Sequence, residues 1–290
     1  MNETPFVSVI VPVYNDAGRL LLCMEALEQQ TYPGDRYEVV VVDNGSSPPL
    51  GNLAERFPHC VIVSEAQPGS YAARNRGIAA SGGEVVCFTD ADCVPGERWI
   101  EAGVAGLQGA DLVGGRIDVL PARADAPTAA ELYDITFGFR QELNVELGFT
   151  PTANLITRRC VIDAVGPFDA GLKSGGDHEW CDRAVAAGYR LAYSDAAAVV
   201  HPARHTMGQI NQRAARFAGG MYDKCRGDRR RLNRERLKVL LRIKPPLQVI
   251  LSPEPRELGR KLRVIAVAYL ANLVYAFEWL RLEIGAASRR

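Results

Sequence analysis

The 290-residue chain reads as an α/β protein: a mostly parallel central sheet flanked by helices, followed by an α-helical C-terminal extension. Three observations predict this. Short, fully apolar runs alternate with helical patterns across short connections, as in parallel sheets covered on both faces. Three of these runs end in polar clusters, Tyr14-Asn15, Asp43-Asn44 and Asp90-Ala91-Asp92, where open α/β sheets bind ligands. Beyond residue 203 the composition turns basic and helical. Residues 1–203 carry 14 Lys/Arg against 27 Asp/Glu, and residues 204–290 carry 20 against 7.

Val7–Val13 is the first strand, ended by Tyr14-Asn15. Asp16 is placed to cap the helix that runs to about Gln30. Tyr37–Val42 is a second buried strand ending in Asp43-Asn44-Gly45-Ser46-Ser47. Leu50–Phe57 reads as a short helix and Val61–Val63 as a third strand. Ser70 is placed to cap a helix Tyr71–Ala80, which Gly82-Gly83 stops. Val85–Phe88 then leads into Thr89-Asp90-Ala91-Asp92. Asp111–Val119 reads as a strand, Ala129–Glu146 as one long amphipathic helix, and Arg158–Val165 as another helix. Asp177 opens a helix to Ala187, and Val199-Val200-His201-Pro202 is a late strand end.

Two carboxylates at i and i+2 of an extended segment point the same way and repel unless a cation sits between them. Asp90 and Asp92 therefore read as a divalent-metal site holding a diphosphate, Mg2+ or Mn2+ by their hard oxygens, or as a solvated acidic turn. Asp43 can accept from a ribose or base, or simply form its turn. Arg74, on the helix before the acidic strand, can pair with the diphosphate or with the acidic residues, or lie on a solvated face. In Lys173-Ser174-Gly175-Gly176-Asp177-His178-Glu179-Trp180, the glycines admit close approach to a ligand. Asp177 there is both a helix-start carboxylate and a candidate catalyst, while one of Glu179 and Asp182, in that first turn or just beyond it, reads as simply favouring the helix dipole. Trp180 reads as core or as the floor of a sugar pocket. His201 reads as a structural polar residue or as a third metal ligand.

Several classes are excluded. No G-x-G-x-x-G follows the first strand, and neither G-x-x-x-x-G-K-[ST] nor G-x-S-x-G occurs. The seven cysteines form no C-x-x-C pair and read as reduced packing residues of a cytosolic protein. No basic region followed by a long apolar stretch opens the chain, so no secretion signal is expected.

Taken together, Val9-Ile10-Val11-Pro12-Val13-Tyr14-Asn15, Val41-Val42-Asp43-Asn44-Gly45-Ser46, Ala73-Arg74-Asn75-Arg76-Gly77, Thr89-Asp90-Ala91-Asp92 and Gly175-Gly176-Asp177 resemble the family 2 inverting glycosyltransferases. The resemblance covers about residues 6–203. It implies the GT-A (nucleotide-diphospho-sugar transferase) fold, with 1–203 as catalytic domain and 204–290 as a basic helical region. It implies that Pro12, Tyr14, Asn15 and Asp43 surround the base and ribose of a nucleotide-sugar, UDP by default. Asp90 and Asp92 become the D-x-D motif for Mn2+ or Mg2+ and the diphosphate, with Arg74 and Ala91 beside them. His201 completes the metal site, Asn154 lies near donor sugar and acceptor, and Asp177 is the general base. Where the family often reads Gly-Glu-Asp, this chain has Gly176 in place of the Glu, so Glu179 is a substitute candidate. A glycan or lipid-linked acceptor in cell-envelope synthesis is implied.

In the C-terminal region, Arg226–Arg231 is a basic run and Leu237–Ile243 an apolar helix closed by Pro245-Pro246. Leu247–Leu251 follows, then one long helix over Leu258–Ile284. Its Tyr, Trp and Phe among basic residues suit an anionic membrane interface, with a homodimer or packing on the catalytic domain as alternatives. Nucleic acid is disfavoured because the acidic body opposes it. The expected location is the cytoplasm, peripheral on the inner face of the cell membrane. Two rival readings are a sugar-nucleotide nucleotidyltransferase and a non-catalytic membrane-bound interaction module.

Overall fold

The computed structural model describes residues 4–51, 53–241, 249 and 257–288. The chain forms two compact units. One comprises Met1–Asp118, Arg140–Gly171 and Gly176–His201; the other comprises Val119–Phe139, Leu172–Gly175 and Pro202–Arg290.

The first unit is built on the sheet. Its strands are β1 (Val7–Val13), β2 (Tyr37–Asp43), β3 (Cys60–Ser64), β4 (Val85–Thr89), β5 (Val94–Pro95), β6 (Leu112–Leu120), β7 (Asn154–Arg158) and β8 (Leu191–Pro202), with β6 and β8 running on into the second unit. They lie in the order β3-β2-β1-β4-β7-β6-β8-β5. β3, β2, β1 and β4 are parallel, and they are the continuous apolar runs of the sequence, buried because both faces are covered. The other half corrects the expectation of a mostly parallel sheet. β7 pairs antiparallel with both β4 and β6, and β5 pairs antiparallel with β8. Strand direction depends on the path of the connections, which apolar patterning does not encode.

This reversal matters for the site. β1, β2 and β4 all end at one edge, and β7 begins there, with Asn154 opposite Thr89. Helix α1 (Ala17–Glu28) buries Leu20, Cys23, Met24 and Leu27. Asp16 takes the expected N-cap position but makes no side-chain capping bond: its carboxylate accepts from Arg19 Nε at 3.0 Å. After the short α2 (Leu53–Arg56), α3 (Ser70–Ala80) begins one residue earlier than expected, with Gly69 (φ 133°) in the cap position rather than Ser70. A side chain at Gly69 would be strained, and the Gly69 N–H donates to Asn44 Oδ1 at 2.7 Å. Gly77 lets α3 lie close on the sheet: a Cβ there would sit 2.5 Å from Ile10 Cγ2.

α4 (Trp99–Gly106) follows β5. The single helix expected over Ala129–Glu146 is two, α5 (Ala129–Phe137) and α6 (Gln141–Glu146). The helix ends at Gly138 (ψ −114°), whose missing Cβ lets it press against the Asp134 carbonyl. α7 (Arg159–Val165) and α8 (Gly176–Ala186) complete the first unit. Trp180 of α8 is core: it is fully buried and donates from Nε1 to the Gly166 carbonyl at 2.9 Å.

The second unit packs α5 with α9 (Met207–Cys225), α10 (Arg229–Leu241) and α11 (Leu258–Glu283). Ala130, Ile210, Val267 and Ala271 form one buried cluster, and Ala218, Val239, Tyr275 and Trp279 another. The α5 capping box is made by Thr128 and Glu131. Buried Asp134 accepts from Arg204 at 3.0 Å and Arg213 at 2.8 Å. The expected helix over Leu237–Ile243 is seen as the end of α10 as far as Leu241. Its last residues, Pro245-Pro246 and most of Leu247–Leu251 lie outside the described residues.

Candidate active site

The edge where β1, β2 and β4 end is tied together by short polar side chains. Asn15 holds a positive φ of 53°, a conformation uncommon outside glycine. Its N–H donates to Ser46 Oγ at 2.9 Å, and its Oδ1 accepts from Ser47 N at 2.8 Å. Asp43 Oδ1 accepts from Ser46 N at 2.9 Å. Asn44 donates to the carbonyls of Glu65 and Gln67 and accepts from Gly69, joining the end of β2 to the start of α3. Tyr14 stands 64% exposed beside this turn, and Pro12 is partly buried behind it.

The two carboxylates after β4 take different partners. Asp90 is ion-paired with Arg74, whose side chain is almost wholly buried. Asp92 Oδ2 lies 3.6 Å from His201 Nε2 at the end of β8 and 3.6 Å from Arg19 Nη1 on α1. Burial opposes the Arg19 charge, yet the hydrogen bond it gives to Asp16 and the negative field of Asp16 and Asp92 raise its pKa. Ala91 between them is buried. Among the described residues, no three or more His, Cys, Asp or Glu side chains gather as a metal site. Asp90 is turned to the Arg74 guanidinium, whose positive charge neutralises it. Asp92 and His201 do fit a shared cation: an oxygen and an imidazole nitrogen face each other in a polar corner, a donor set that suits Mn2+.

The Arg74-Asn75-Arg76-Gly77 stretch separates into distinct tasks. Arg74 holds Asp90. Asn75 makes a reciprocal amide clasp with the Phe168 backbone, donating at 2.8 Å and accepting at 2.9 Å. Gly77 meets the sheet.

Asp177 lies in the first turn of α8, where its Oδ1 accepts from His178 N at 2.9 Å and faces the Tyr71 hydroxyl at 3.4 Å. Glu179 is committed elsewhere: Arg183 donates to it from Nε at 2.8 Å and is itself anchored on the carbonyls of Val165 and Pro167. That ion pair staples α8 to the preceding loop and argues against Glu179 as substitute base. His178 pairs with Asp182 along the same helix at 3.0 Å.

Asn154 is not brought to the others as a ligand. It is fully buried, accepts from Trp99 Nε1 at 2.9 Å, and donates to the Arg116 and Ala197 carbonyls, both at 2.8 Å. Its amide locks the start of β7 from inside. Sequence reasoning missed Tyr71 and Arg19, and named Asn44 only as part of its strand-end cluster. Tyr71 carried no signal beyond that of an aromatic residue in the first turn of a helix.

Both the sequence and the fold are similar to those of known proteins. The glycosyl transferase family 2 description matches residues 8–166, and the chain belongs to that family. It is 36% identical over 286 residues to glycosyltransferase AglE of Haloferax volcanii, covering 93% of each chain. It is 31% identical to the pre-mycofactocin glycosyltransferase of Mycobacterium tuberculosis over 73% of this chain and 46% of that one. Among solved structures, mannosyltransferase PcManGT from Pyrobaculum calidifontis, in complex with GDP-Man and Mn2+, superposes with a TM-score of 0.60 at 20% identity. It covers 99% of this chain and 77% of that one. Residues 1–349 of TarS from S. aureus superpose with a TM-score of 0.55 at 18% identity, covering 98% and 93%. The fold is therefore of GT-A type, and the protein is a glycosyltransferase.

Proposed function

We propose that this glycosyltransferase is metal-dependent and inverting, taking a sugar from a nucleoside diphosphate donor to an acceptor hydroxyl in cell-envelope glycan or glycolipid synthesis. Residues 1–203 act as its catalytic domain. The observation that carries the reading is the meeting of Asp92 with His201, flanked by Arg19, at the end of the parallel strands. The similar folds crystallised with GDP-Man and Mn2+, and with UDP, GalNAc and Mn2+, support it. UDP is the default donor base.

Asp92 and His201 would hold Mn2+ or Mg2+, which when bound supplies positive charge to the departing diphosphate. Pro12, Tyr14, Asn15 and Asp43 receive the base and ribose. Asp90 and Arg74 form the wall beside Ala91, and Arg19 adds a cation near the diphosphate. Asp177 accepts the proton of the acceptor hydroxyl as that oxygen attacks the anomeric carbon. The bond from the anomeric carbon to the diphosphate breaks on the opposite face, so one displacement inverts the configuration.

The same reading places the enzyme in the cytoplasm, peripheral on the inner face of the cell membrane. One face of α11 is buried through Val264, Val267, Ala271 and Trp279, while Leu262, Leu273, Phe277 and Leu280 stand 40–65% exposed on the other. Arg260, Lys261 and Arg263 open this helix, and α10 carries a run of arginines. An apolar stripe bordered by cations suits the interface of an anionic bilayer, with the helix lying on it. α11 is long and apolar enough to cross a membrane by length and composition. Its buried face and buried Glu278, which is paired with the part-exposed Arg281, favour lying flat.

The test is nucleoside diphosphate release from a panel of UDP-, GDP- and dTDP-sugars with and without Mn2+. Release that needs the metal and is abolished by Asp177→Asn, with donor binding kept, supports the reading. Parental release by Asp177→Asn removes the base assignment. Flotation with phosphatidylglycerol vesicles, lost in Phe277→Glu, tests the surface; a salt-independent dimer instead would assign the stripe to a second copy.

A further inference from the structure

We propose that Tyr71 is the positioning residue for Asp177, and that Gly176 is glycine because the Tyr71 ring occupies the space a side chain would need. The proposal rests on the reading of Asp177 as the base and adds the residue that aims it.

The first N–H groups of a helix have no partner within the helix and must find one outside it. α8 starts at Gly176, directly after Gly175 (φ 76°), and neither glycine has a side chain to serve as acceptor. The acceptor comes from another helix. The Gly176 N–H donates to the Tyr71 hydroxyl oxygen at 2.9 Å, and the same hydroxyl faces Asp177 Oδ1 at 3.4 Å. Oδ1 also takes the His178 N–H at 2.9 Å. Both of these bonds fall on Oδ1, which fixes the plane of the carboxylate and directs Oδ2 away from them.

The ring is itself held. Tyr71 is 7% exposed and stacks on Phe168 with centroids 5.9 Å apart, and Phe168 packs against Phe88 and Trp180, each at 5.4 Å. A Cβ on Gly176 would lie 2.7–3.0 Å from three atoms of that ring. A ring so packed relieves such a contact only by being displaced, so glycine at 176 is what lets Tyr71 keep this position.

The Arg74 guanidinium sits 5.8 Å from the centre of the same ring and reaches Asp90 on its other side. Tyr71, on the same helix as Arg74, thus touches both the Asp90 partner and the helix that carries the base. Tyr71 is not itself a proton acceptor in the reaction. Burial, and then the charge of Asp177, push its pKa up, so it stays a hydroxyl and gives a hydrogen bond to the carboxylate.

The experiment uses the full chain with Mn2+ and the sugar nucleotide that turns over in the release screen, water serving as acceptor. Tyr71→Phe keeps the ring and removes the hydroxyl. Its kcat for nucleoside diphosphate release is expected to fall about 10- to 100-fold, while donor affinity by calorimetry stays within about twofold. In an Asp177→Asn background, Tyr71→Phe is expected to cause no further loss, because it acts through that carboxylate. Gly176→Ala displaces the ring and is expected to show the same split, which keeps the test available if Tyr71→Phe does not fold. Parental kcat in the soluble Tyr71→Phe protein overturns the proposal, as does a loss of donor affinity matching the loss of kcat. Should Asp177→Asn itself release nucleotide at the parental rate, the base assignment fails instead, whatever Tyr71 does.

Discussion

Asp92, in the turn between β4 and β5, and His201, near the end of β8, are brought together by the β5–β8 pairing, and the Asp92 carboxylate and the His201 imidazole lie 3.6 Å apart. His201 is buried, with its Nε2 turned to the carboxylate. Asp92→Asn and His201→Gln are each expected to lower Mn2+-stimulated release about 100-fold, in line with loss of one electrostatic group at a developing charge. EDTA is expected to bring the parental protein to the same level. Variants as active as the parent, or parental release that resists EDTA, would remove the cation from this corner.

The seating of α3 on β1 makes a stability prediction. Gly77→Ala places a methyl 2.5 Å from Ile10 Cγ2 and 3.1 Å from Val42 Cγ2. Both neighbours are fully buried, so the helix must lift. Urea unfolding is expected to show a loss of about 1–3 kcal/mol. Because α3 carries Arg74, activity should fall with it; an unchanged midpoint would mean the helix has room to move.

Acid sensitivity is predicted at Glu131. Burial opposes its ionisation, but the N–H groups of Ala122 and Thr128, with His205 and the Thr128 hydroxyl, outweigh it and hold the pKa down to about 2. A carboxyl lowered on folding stabilises the folded state above its unfolded pKa. That contribution is lost as pH falls from about 4.5 toward about 2. Glu131→Gln should therefore be less stable at pH 7 but show a flatter decline through this window by circular dichroism. A parallel decline in both proteins would contradict it.

Thiol chemistry separates one cysteine from six. Cys160 is exposed; Cys23, Cys60, Cys87, Cys93, Cys181 and Cys225 are buried. Burial raises Cys60 to about 11 and Cys181 to about 12, and raises Cys23 and Cys93 further, with the charges of Asp92 and Asp90 adding to it. Native protein at pH 8 is expected to give one fast-reacting thiol with Ellman's reagent, absent in Cys160→Ser. Two or more fast thiols would show that the sheet opens.

The parallel half of the sheet was legible because buried strands are continuous apolar runs, and its strand ends were legible because Asn15, Asp43 and Asp90 interrupt them abruptly. The direction of β7 was not, since Asn154–Arg158 has the same composition whichever way it runs. The periodicity from Ala129 to Glu146 continues across Gly138, so the apolar pattern does not report the break, which Gly138 makes by turning tightly onto the Asp134 carbonyl one turn back. At the site, carboxylates announced themselves by type and spacing, but their partners did not. Arg74 on Asp90 was foreseen as one option. Arg183 on Glu179 and the closed amide network of Asn154 follow only from three-dimensional neighbours.

The fit between Gly176 and Tyr71 reaches past this one chain. Positions 71 and 176 compete for a single volume, so during divergence they must be exchanged as a unit. A relative with a bulky residue at the helix start should have surrendered its aromatic partner. A lineage that altered either position alone would pass through a strained intermediate.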